Sequence, residues 1–305
     1  MDTKVLKTIA ILPIVMLIFS VCSSAQDSLL TMLDDSSQYA GSNMAVQGTF
    51  KAIHLINAQT VESPGKQELN FIIMHRFGEI NDGAYNFFGL DNASIRLGLD
   101  YGISERLGIG IGRTSLEKTF DGYLKYKLLQ QSDGASKMPV SLSLLAAINH
   151  MTLRSDTFVS AKNKTSYITQ LLIARKFSQA LSLQVSPTYI HYNRYPALKQ
   201  AKDVFATMFG GRFKFTKRMS ITAEYNYLFP GMLDAIDLKN SLSLGFEIET
   251  GGHVFQLVFT NSGGMIESQY IGKTQGDWGD GDIFFGFNIS RHFSFNKKTG
   301  DKKKW

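Results

Sequence analysis

The chain has 305 residues with a formal net charge of +6, and its mean hydropathy is −0.07. No run of about 18 apolar residues follows the N-terminal region, so an internal transmembrane helix is not expected. Charges of both signs are interspersed except for a run of lysines near the C-terminus, a pattern that argues against nucleic-acid binding.

The first 25 residues have the pattern of a secretory signal peptide. Lys4 and Lys7 precede an apolar run over residues 9–21, and the small residues Ser23 and Ala25 occupy the positions that signal peptidase recognises. We therefore predict export and cleavage after Ala25. The alternatives are a short membrane anchor and lipidation of Cys22. This is the single cysteine of the chain, so its removal with the signal would leave neither disulfides nor thiol chemistry.

Residues 26–65 lack the regular pattern of the rest of the chain. They are polar and small at first, and residues 50–61 then alternate weakly between apolar and polar side chains. We interpret 26–65 as a periplasmic lead that could also supply extra strands or a plug. If residues 50–61 cross the membrane, a second added strand near residues 38–47 would be needed to keep both termini on the same side.

Beyond residue 66, apolar and polar residues alternate in about a dozen segments. In residues 94–101, Ile95, Leu97 and Leu99 share one face, whereas Arg96 and Asp100 share the other, because successive strand side chains point to opposite faces. The predicted strands span residues 68–77, 93–101, 107–113, 120–128, 140–149, 167–177, 181–192, 205–215, 219–227, 242–249, 254–260 and 283–293.

The connections favour a membrane barrel over a soluble sandwich. Tight turns near residues 102–106, 178–180, 216–218 and 250–252 alternate with long loops, as in outer-membrane barrels with short periplasmic turns. Aromatic residues at the strand ends fit two interfacial girdles. We predict an all-β fold, a transmembrane antiparallel up-and-down β-barrel of about 12 strands over residues 66–295, with a basic tail at 296–305. An N-terminal hairpin would raise the number to 14. The girdle residues are Tyr101, Phe177, Phe213, Phe215 and Phe293 at the periplasmic end and Tyr189, Tyr192, Tyr225 and Tyr227 at the outer end.

Several stretches between residues 75 and 127 combine glycine, aromatic and charged residues in a distinctive order. They are residues 75–78 (HRFG), 86–91 (NFFGLD), 95–102 (IRLGLDYG), 110–113 (GIGR) and 117–127 (EKTFDGYLKYK). These stretches resemble an uncharacterised family of outer-membrane β-barrel proteins from Bacteroidota, a domain-of-unknown-function family. The resemblance covers most of the chain after the signal peptide and implies a barrel in the outer membrane. It implies no substrate, cofactor or catalytic residue.

No motif predicts an enzyme. Gly108, Gly110 and Gly112 lack the following helix and the Lys-Ser/Thr ending of a phosphate loop, so we interpret them as glycines on the inner face of a strand that allow a bend or a close approach. An outer-membrane lipase would need a serine and a histidine on adjoining strands. If His75 faces lipid, the neighbouring predicted strand offers Ile95, Leu97 and Leu99 on that face and no serine, which favours a structural or interfacial histidine.

Three carboxylates lie in the longest predicted outer loop. Asp277, Asp280 and Asp282 alternate with glycines and could hold Ca²⁺ through oxygen ligands. Their spacing differs from that of the EF-hand loop, so a turn-rich acidic loop is the favoured interpretation. We predict no metal site and no cofactor.

Charged residues on the polar face of the strands are the candidate functional residues, because a charge facing mid-bilayer lipid would cost about 2–4 kcal/mol. They either line a polar pore that selects solutes or form ion pairs that close a narrow lumen. The predicted function is a passive porin-like channel for small polar or charged solutes, and the alternative is a non-conducting barrel that anchors an envelope assembly. The predicted partner is the lipid bilayer of the outer membrane, and protein partners are not assigned. The candidate pore-lining residues are Arg96, Asp100, Asp121, Lys125, Lys127, Arg212, Lys214, Glu224, Glu247 and Glu249.

Overall fold

The protein is an all-β structure of twelve long strands with short connecting helices. The computed structural model describes residues 44–46, 48–134, 137–154, 160–195, 200–233 and 237–295. The strands are β1 (Glu68–Glu79), β2 (Ala93–Gly102), β3 (Leu107–Thr114), β4 (Thr119–Leu129), β5 (Ser141–Met151), β6 (Thr165–Lys176), β7 (Leu181–Tyr195), β8 (Gln200–Lys214), β9 (Met219–Leu228), β10 (Ser241–Glu249), β11 (His253–Thr260) and β12 (Phe284–Ser294).

The sheet closes on itself. Each strand pairs antiparallel with the next one along the chain, and β12 pairs with β1, where Phe287 lies opposite His75. Closure leaves no sheet edge without hydrogen-bond partners, which a lipid environment requires. The predicted antiparallel barrel of 12 strands is therefore confirmed. Most strand ends agree within a few residues, and β8 begins at Gln200 rather than at residue 205.

The two faces of the barrel differ as the alternation predicts. On β2, Leu97 and Leu99 are 45% and 41% exposed, whereas Arg96 and Asp100 are 2% and 0% exposed. The apolar side chains thus face outward and the polar ones face the lumen. Among the described residues, no helix is long and apolar enough to cross a membrane.

The connections at the two ends of the barrel differ in length. Short turns join β2 to β3, β6 to β7, β8 to β9 and β10 to β11 at one end, which we call the inner end. Short helices, and the long segment that joins β11 to β12, lie in the connections at the outer end. These helices are Ile80–Asp82, Ala84–Gly89, Leu116–Lys118, Lys162–Lys164 and the four-residue α1 (Glu267–Tyr270).

One prediction about the barrel wall was wrong, and the structure selects one of the alternatives left open for residues 50–61. Tyr192 was expected in the outer aromatic girdle, but its side chain is 2% exposed and lies in the lumen, because β7 places it in phase with inward-facing Ile190. Residues 50–61 do not add strands to the barrel and instead lie inside it. The predicted signal peptide (residues 1–25), most of the lead (26–43) and the basic tail (296–305) lie outside the described residues and stay predictions.

Candidate functional site

The lumen is occupied by a short segment of the chain itself, residues 49–62, which we call the plug. It forms a small hairpin in which Thr60 donates its backbone N–H to the carbonyl of Ile53 at 2.7 Å and Leu55 donates to Ala58 at 2.8 Å. His54 and Gln59 form an isolated bridge between the two arms. The tip of the hairpin, Ile56, is 0% exposed. The plug therefore fills the space that an open pore would leave to water.

A single carboxylate on the barrel wall holds the tip of the plug. Glu224 of β9 accepts the backbone N–H groups of Ile56 at 3.2 Å, Asn57 at 3.0 and 3.1 Å, and Ala58 at 3.0 Å. The Asn57 side chain accepts from Arg76 of β1 at 2.8 Å. Consecutive N–H groups that converge on one anion form a compact electrostatic contact. Because the contact is made to main-chain atoms, it depends on the backbone shape of the turn more than on its side chains.

A buried lysine holds the returning arm of the plug. Lys125 of β4 donates from Nζ to the carbonyl of Thr60 at 2.9 Å and to that of Glu62 at 2.7 Å. Gln184 of β7 binds the same arm. Its Nε2 donates to the carbonyl of Gln59 at 2.7 Å, and its Oε1 accepts from the backbone N–H of Val61 at 2.9 Å. These side chains pair with buried main-chain groups, which would destabilise the folded protein if they had no hydrogen-bond partner.

Strands β11 and β12 also contact the tip of the plug. Gln256 of β11 donates to the carbonyl of Leu55 at 2.7 Å, and Asn288 of β12 donates to that of Ile56 at 2.8 Å. Hydrogen bonds to the plug therefore come from strands all around the barrel.

The histidine of the plug is neutral. Burial lowers the pKa of His54 from 6.5 to about 4. Its Nδ1 lies 3.2 Å from the carbonyl of Asn57, and its Nε2 lies 3.4 Å from Nε2 of Gln59. A neutral ring with its proton on Nδ1 satisfies both contacts, because it donates to the carbonyl and accepts from the amide.

One side of the lumen is apolar and packs against the plug. Leu145 of β5 and Leu172 of β6 form a cluster with Phe50, Leu55 and Val61 of the plug. A second cluster surrounds Ala58 and includes inward-facing residues of β6, β7 and β8. Burying one such side chain stabilises by about 1.5–3 kcal/mol. This half of the wall is complementary to a protein segment rather than to water. The wall residues of the second cluster are Ile168, Ile190, Tyr192, Tyr195, Val204, Ala206 and Met208.

A second segment closes the outer half of the lumen. The connection between β11 and β12 folds inward, and α1 is buried along its whole length. Tyr192 donates its hydroxyl to the carbonyl of Ser268 at 2.7 Å, and Tyr195 donates to that of Gly272 at 2.5 Å. Lys273 forms an ion pair with Glu117 at 2.6 Å. We call residues 261–276 the outer loop.

The outer loop carries a carboxyl group with a perturbed pKa. Burial raises the pKa of Glu267 from 4.5 to about 7, and the nearby negative charge of Asp121 acts in the same direction. Arg96 and Lys125 favour the ionised form but do not compensate for the loss of solvation. This pKa difference predicts that the packing of the loop weakens as the pH rises from 4.5 to about 7.

The predicted pore-lining residues all lie at lumen-facing positions, and eight of the ten fall into two groups. The first group forms ion pairs within the wall: Arg96 contacts Asp121 at 2.5 Å, Arg212 contacts Glu247 at 2.8 Å, and Lys214 contacts Glu249 at 3.0 Å. The second group, Lys125 and Glu224, binds the plug. Their role in conduction stays a prediction. The remaining members are Asp100, which accepts from Asn70 at 2.9 Å and from Tyr123 at 2.7 Å, and the half-buried Lys127.

Sequence reasoning missed the uncharged groups that hold the plug. Gln184, Gln256 and Asn288 occupy the same inward-facing positions as the charged residues, and alternation alone could have identified them. It could not have paired them with residues 49–62. Arg76 follows the outward-facing His75, so its side chain points into the lumen, where it is 0% exposed.

His75 and the acidic loop around Asp277 make contacts that are typical of structural residues. His75 faces outward and stacks on Phe287 with ring centres 4.9 Å apart. Asp282 accepts from the backbone N–H of Asp277 at 3.0 Å, and Asp277 accepts from that of Gly279 at 2.7 Å, which are contacts typical of turns. Within the part of the chain that the structure describes, no group of three His, Cys, Asp or Glu residues is arranged to hold a metal ion.

Comparison with known proteins gives a family match and distant structural similarities. Residues 50–293 match the family described as Membrane bound beta barrel domain (DUF5777). No curated protein sequence matches the chain. The chain is similar to the solved NanC porin, with 8% identity, a TM-score of 0.48 and coverage of 75% of this chain and 100% of that chain. It is also similar to outer membrane phospholipase A from Escherichia coli, with 12% identity, a TM-score of 0.45 and coverage of 81% and 98%. At these identities and TM-scores, neither similarity carries an argument about what this chain does.

Proposed function

Because the chain belongs to the family of membrane-bound β-barrel domains (DUF5777), we propose that it is an outer-membrane conduit for small polar or charged solutes. In this proposal the lumen is held shut at rest by the plug and the outer loop. It is thus a gated conduit rather than a permanently open passive pore.

The observation that carries the proposal is the pair of buried charges that bind the plug. Lys125 and Glu224 are 0% and 1% exposed. Among the described residues, neither has an opposite charge within ion-pair distance, and both bind main-chain atoms of the plug instead. A permanently buried core is at least as stable with apolar residues in place of such charges. Charged groups are favourable, in contrast, on a wall that is hydrated whenever the plug leaves.

A second candidate function is a permanently closed barrel that anchors an envelope assembly. The apolar half of the lumen favours it, because Leu145, Leu172 and Ile168 would face water in an open state. The cost of exposing these side chains, about 1.5–3 kcal/mol each, opposes opening.

Planar-bilayer conductance separates the two functions. We expect the full chain to be nearly silent, and we expect single-channel steps from a variant that lacks residues 49–62 or from one that lacks both 49–62 and 264–274. In a conducting variant, Lys125→Glu should shift the reversal potential toward cation selectivity, because it reverses a charge on the wall. If both deletion variants fold, as judged by heat-modifiable gel mobility, and neither passes ions, the conduit is refuted and the closed barrel is favoured.

We also propose that the barrel is not an enzyme. His75 is stacked on Phe287 and lies against the tilted ring of Phe77, and its neighbour across the β1–β2 ladder is Ile95 rather than a serine. Lipase activity of the full chain in detergent that disappears in His75→Ala would contradict this proposal.

A further inference from the structure

The lipid-facing surface carries a groove that the proposed conduit does not use. It has a volume of about 650 Å³ and crosses the outer faces of strands β1 to β5. Its walls are apolar side chains that face the membrane. The groove is therefore open to an acyl chain rather than to the lumen. These side chains are Phe71, Leu97, Leu99, Ile111, Phe120 and Ile148.

The groove exists because one outward-facing position has no side chain. Gly122 of β4 lies between the outward-facing Phe120 and Leu124. A Cβ atom placed at Gly122 would lie 3.7 Å from the carbonyl oxygen of Gly110 and 3.9 Å from Ile148, which are ordinary contacts. Space for a side chain is thus present and unused, whereas lipid-facing positions around it carry large apolar residues.

A positive charge lies at the outer end of the groove. Arg113 is a lining residue and is exposed on the lipid face, and its guanidinium carbon lies 5.5 Å from the centre of the Phe120 ring. Among the described residues, no carboxylate lies within ion-pair distance of Arg113. A lipid-facing arginine is unfavourable in hydrocarbon, and the penalty falls near the interface, where the charge can meet lipid headgroups.

A hydrogen-bond acceptor lies on the other side of Phe120 from this charge. His150 of β5 is also a lining residue and faces Phe120 across the ladder. Its Nδ1 lies 2.9 Å from the Thr165 hydroxyl, which donates its own proton to the carbonyl of Ala161 at 3.1 Å. The hydroxyl oxygen therefore accepts from Nδ1, and in the tautomer that carries its proton on Nδ1 alone, Nε2 accepts a hydrogen bond.

We propose that this groove binds a lipid of the outer leaflet that carries a phosphate and a hydroxyl in its headgroup. The phosphate contacts Arg113, the headgroup hydroxyl donates to Nε2 of His150, and an acyl chain fills the groove at Gly122. The geometry fits such a molecule. Arg113 pairs with Phe120 and Ile111 pairs with Gly122, so the charge lies two residues, about 7 Å, above the gap.

The test measures lipid binding to the purified full chain in neutral detergent by native mass spectrometry, with phosphatidylglycerol as the probe. Gly122→Leu fills the gap, and Arg113→Gln removes the charge. We expect each variant to bind phosphatidylglycerol about tenfold more weakly, in line with the loss of one charge-assisted contact or of one buried chain segment. Phosphatidylcholine, which has no net charge and no headgroup hydroxyl, should bind the wild type weakly.

Arg175→Gln is the matched control. Arg175 also faces outward and lies over an aromatic ring, at 5.0 Å from the centre of Phe177, but at the inner end of the barrel and outside the groove. Arg175→Gln should leave phosphatidylglycerol binding unchanged, and heat-modifiable gel mobility should show that all variants are folded. The proposal is overturned if the wild type retains no phosphatidylglycerol, if either groove variant binds like the wild type, if Arg175→Gln weakens binding equally, or if phosphatidylcholine binds as tightly.

Discussion

Glu224 should control how often the plug leaves the lumen. The substitution Glu224→Gln keeps the size of the side chain and one oxygen acceptor but removes the negative charge. In the wild type this carboxylate accepts the N–H groups of Ile56, Asn57 and Ala58 at 3.0–3.2 Å. The amide can still accept hydrogen bonds, so the variant tests the charge rather than the shape of the contact.

The magnitude follows from the number of hydrogen bonds. A hydrogen bond to a charged group contributes about 1.5–3 kcal/mol and one between neutral groups about 0.5–1.5 kcal/mol. Three bonds that each lose about 1 kcal/mol weaken plug binding by about 3 kcal/mol. Since 1.4 kcal/mol corresponds to a factor of ten, the population without the plug should rise about 100-fold.

Thiol labelling measures this population. In a Cys22→Ser background, Ala58→Cys places one thiol on the plug at a position that is 1% exposed. When the plug leaves and returns faster than the reagent reacts, the labelling rate is proportional to the open fraction. Glu224→Gln should then raise the labelling rate of Cys at position 58 about 100-fold.

The control makes the same carboxylate-to-amide substitution at Glu249, on the barrel wall. Glu249 contacts Arg212 and Lys214 of the wall, and within the described part of the chain it makes no hydrogen bond to the plug, so Glu249→Gln should leave the labelling rate nearly unchanged. An unaltered rate in Glu224→Gln would refute the reasoning. An equal rise in both variants would show that loss of any lumen charge loosens the barrel.

Two further predictions concern packing and pH. A Cβ atom at Gly110 would overlap the ring of Tyr123, whose hydroxyl donates to Asp100 at 2.7 Å. Gly110→Ala should therefore lower the free energy of unfolding by about 1–3 kcal/mol, whereas Gly122→Ala should change it by less than about 0.5 kcal/mol. Urea titration in detergent checks both variants, and equal effects would contradict the close approach at Gly110. Glu267 has a pKa of about 7 in the packed loop and 4.5 when exposed. Between these pH values Glu267 is ionised when the loop is exposed but still protonated when the loop is packed. The free energy of packing the outer loop should therefore be most favourable below pH 4.5 and weaken by about 3 kcal/mol as the pH rises to 7. Hydrogen exchange of residues 266–274, corrected for intrinsic rates, should show this pH dependence in the wild type and not in Glu267→Gln. An unchanged pH profile in Glu267→Gln would mean that another group causes the pH dependence.

Alternation along the chain was sufficient to predict the barrel and its two faces. The pattern that puts Leu97 and Leu99 on one side and Arg96 and Asp100 on the other depends on local strand geometry, and the closed structure keeps it. The same reasoning placed the charged candidates toward the lumen, because lipid excludes charge. Tyr192 is an exception, since an aromatic residue near a strand end satisfies either an interfacial girdle or a buried contact, and its phase in β7 selects the second.

The sequence by itself thus determined the strand array, the wall that faces lipid and the wall that carries charge. The tertiary structure decided what fills the interior. A polar inner face is equally compatible with water and with a hydrogen-bonded protein segment, because both satisfy the same donors and acceptors. Residues 49–62 bind through their main chain to Glu224, Lys125 and Gln184, which follow them by 63 to 168 positions, and main-chain recognition leaves almost no side-chain pattern in the segment that is bound.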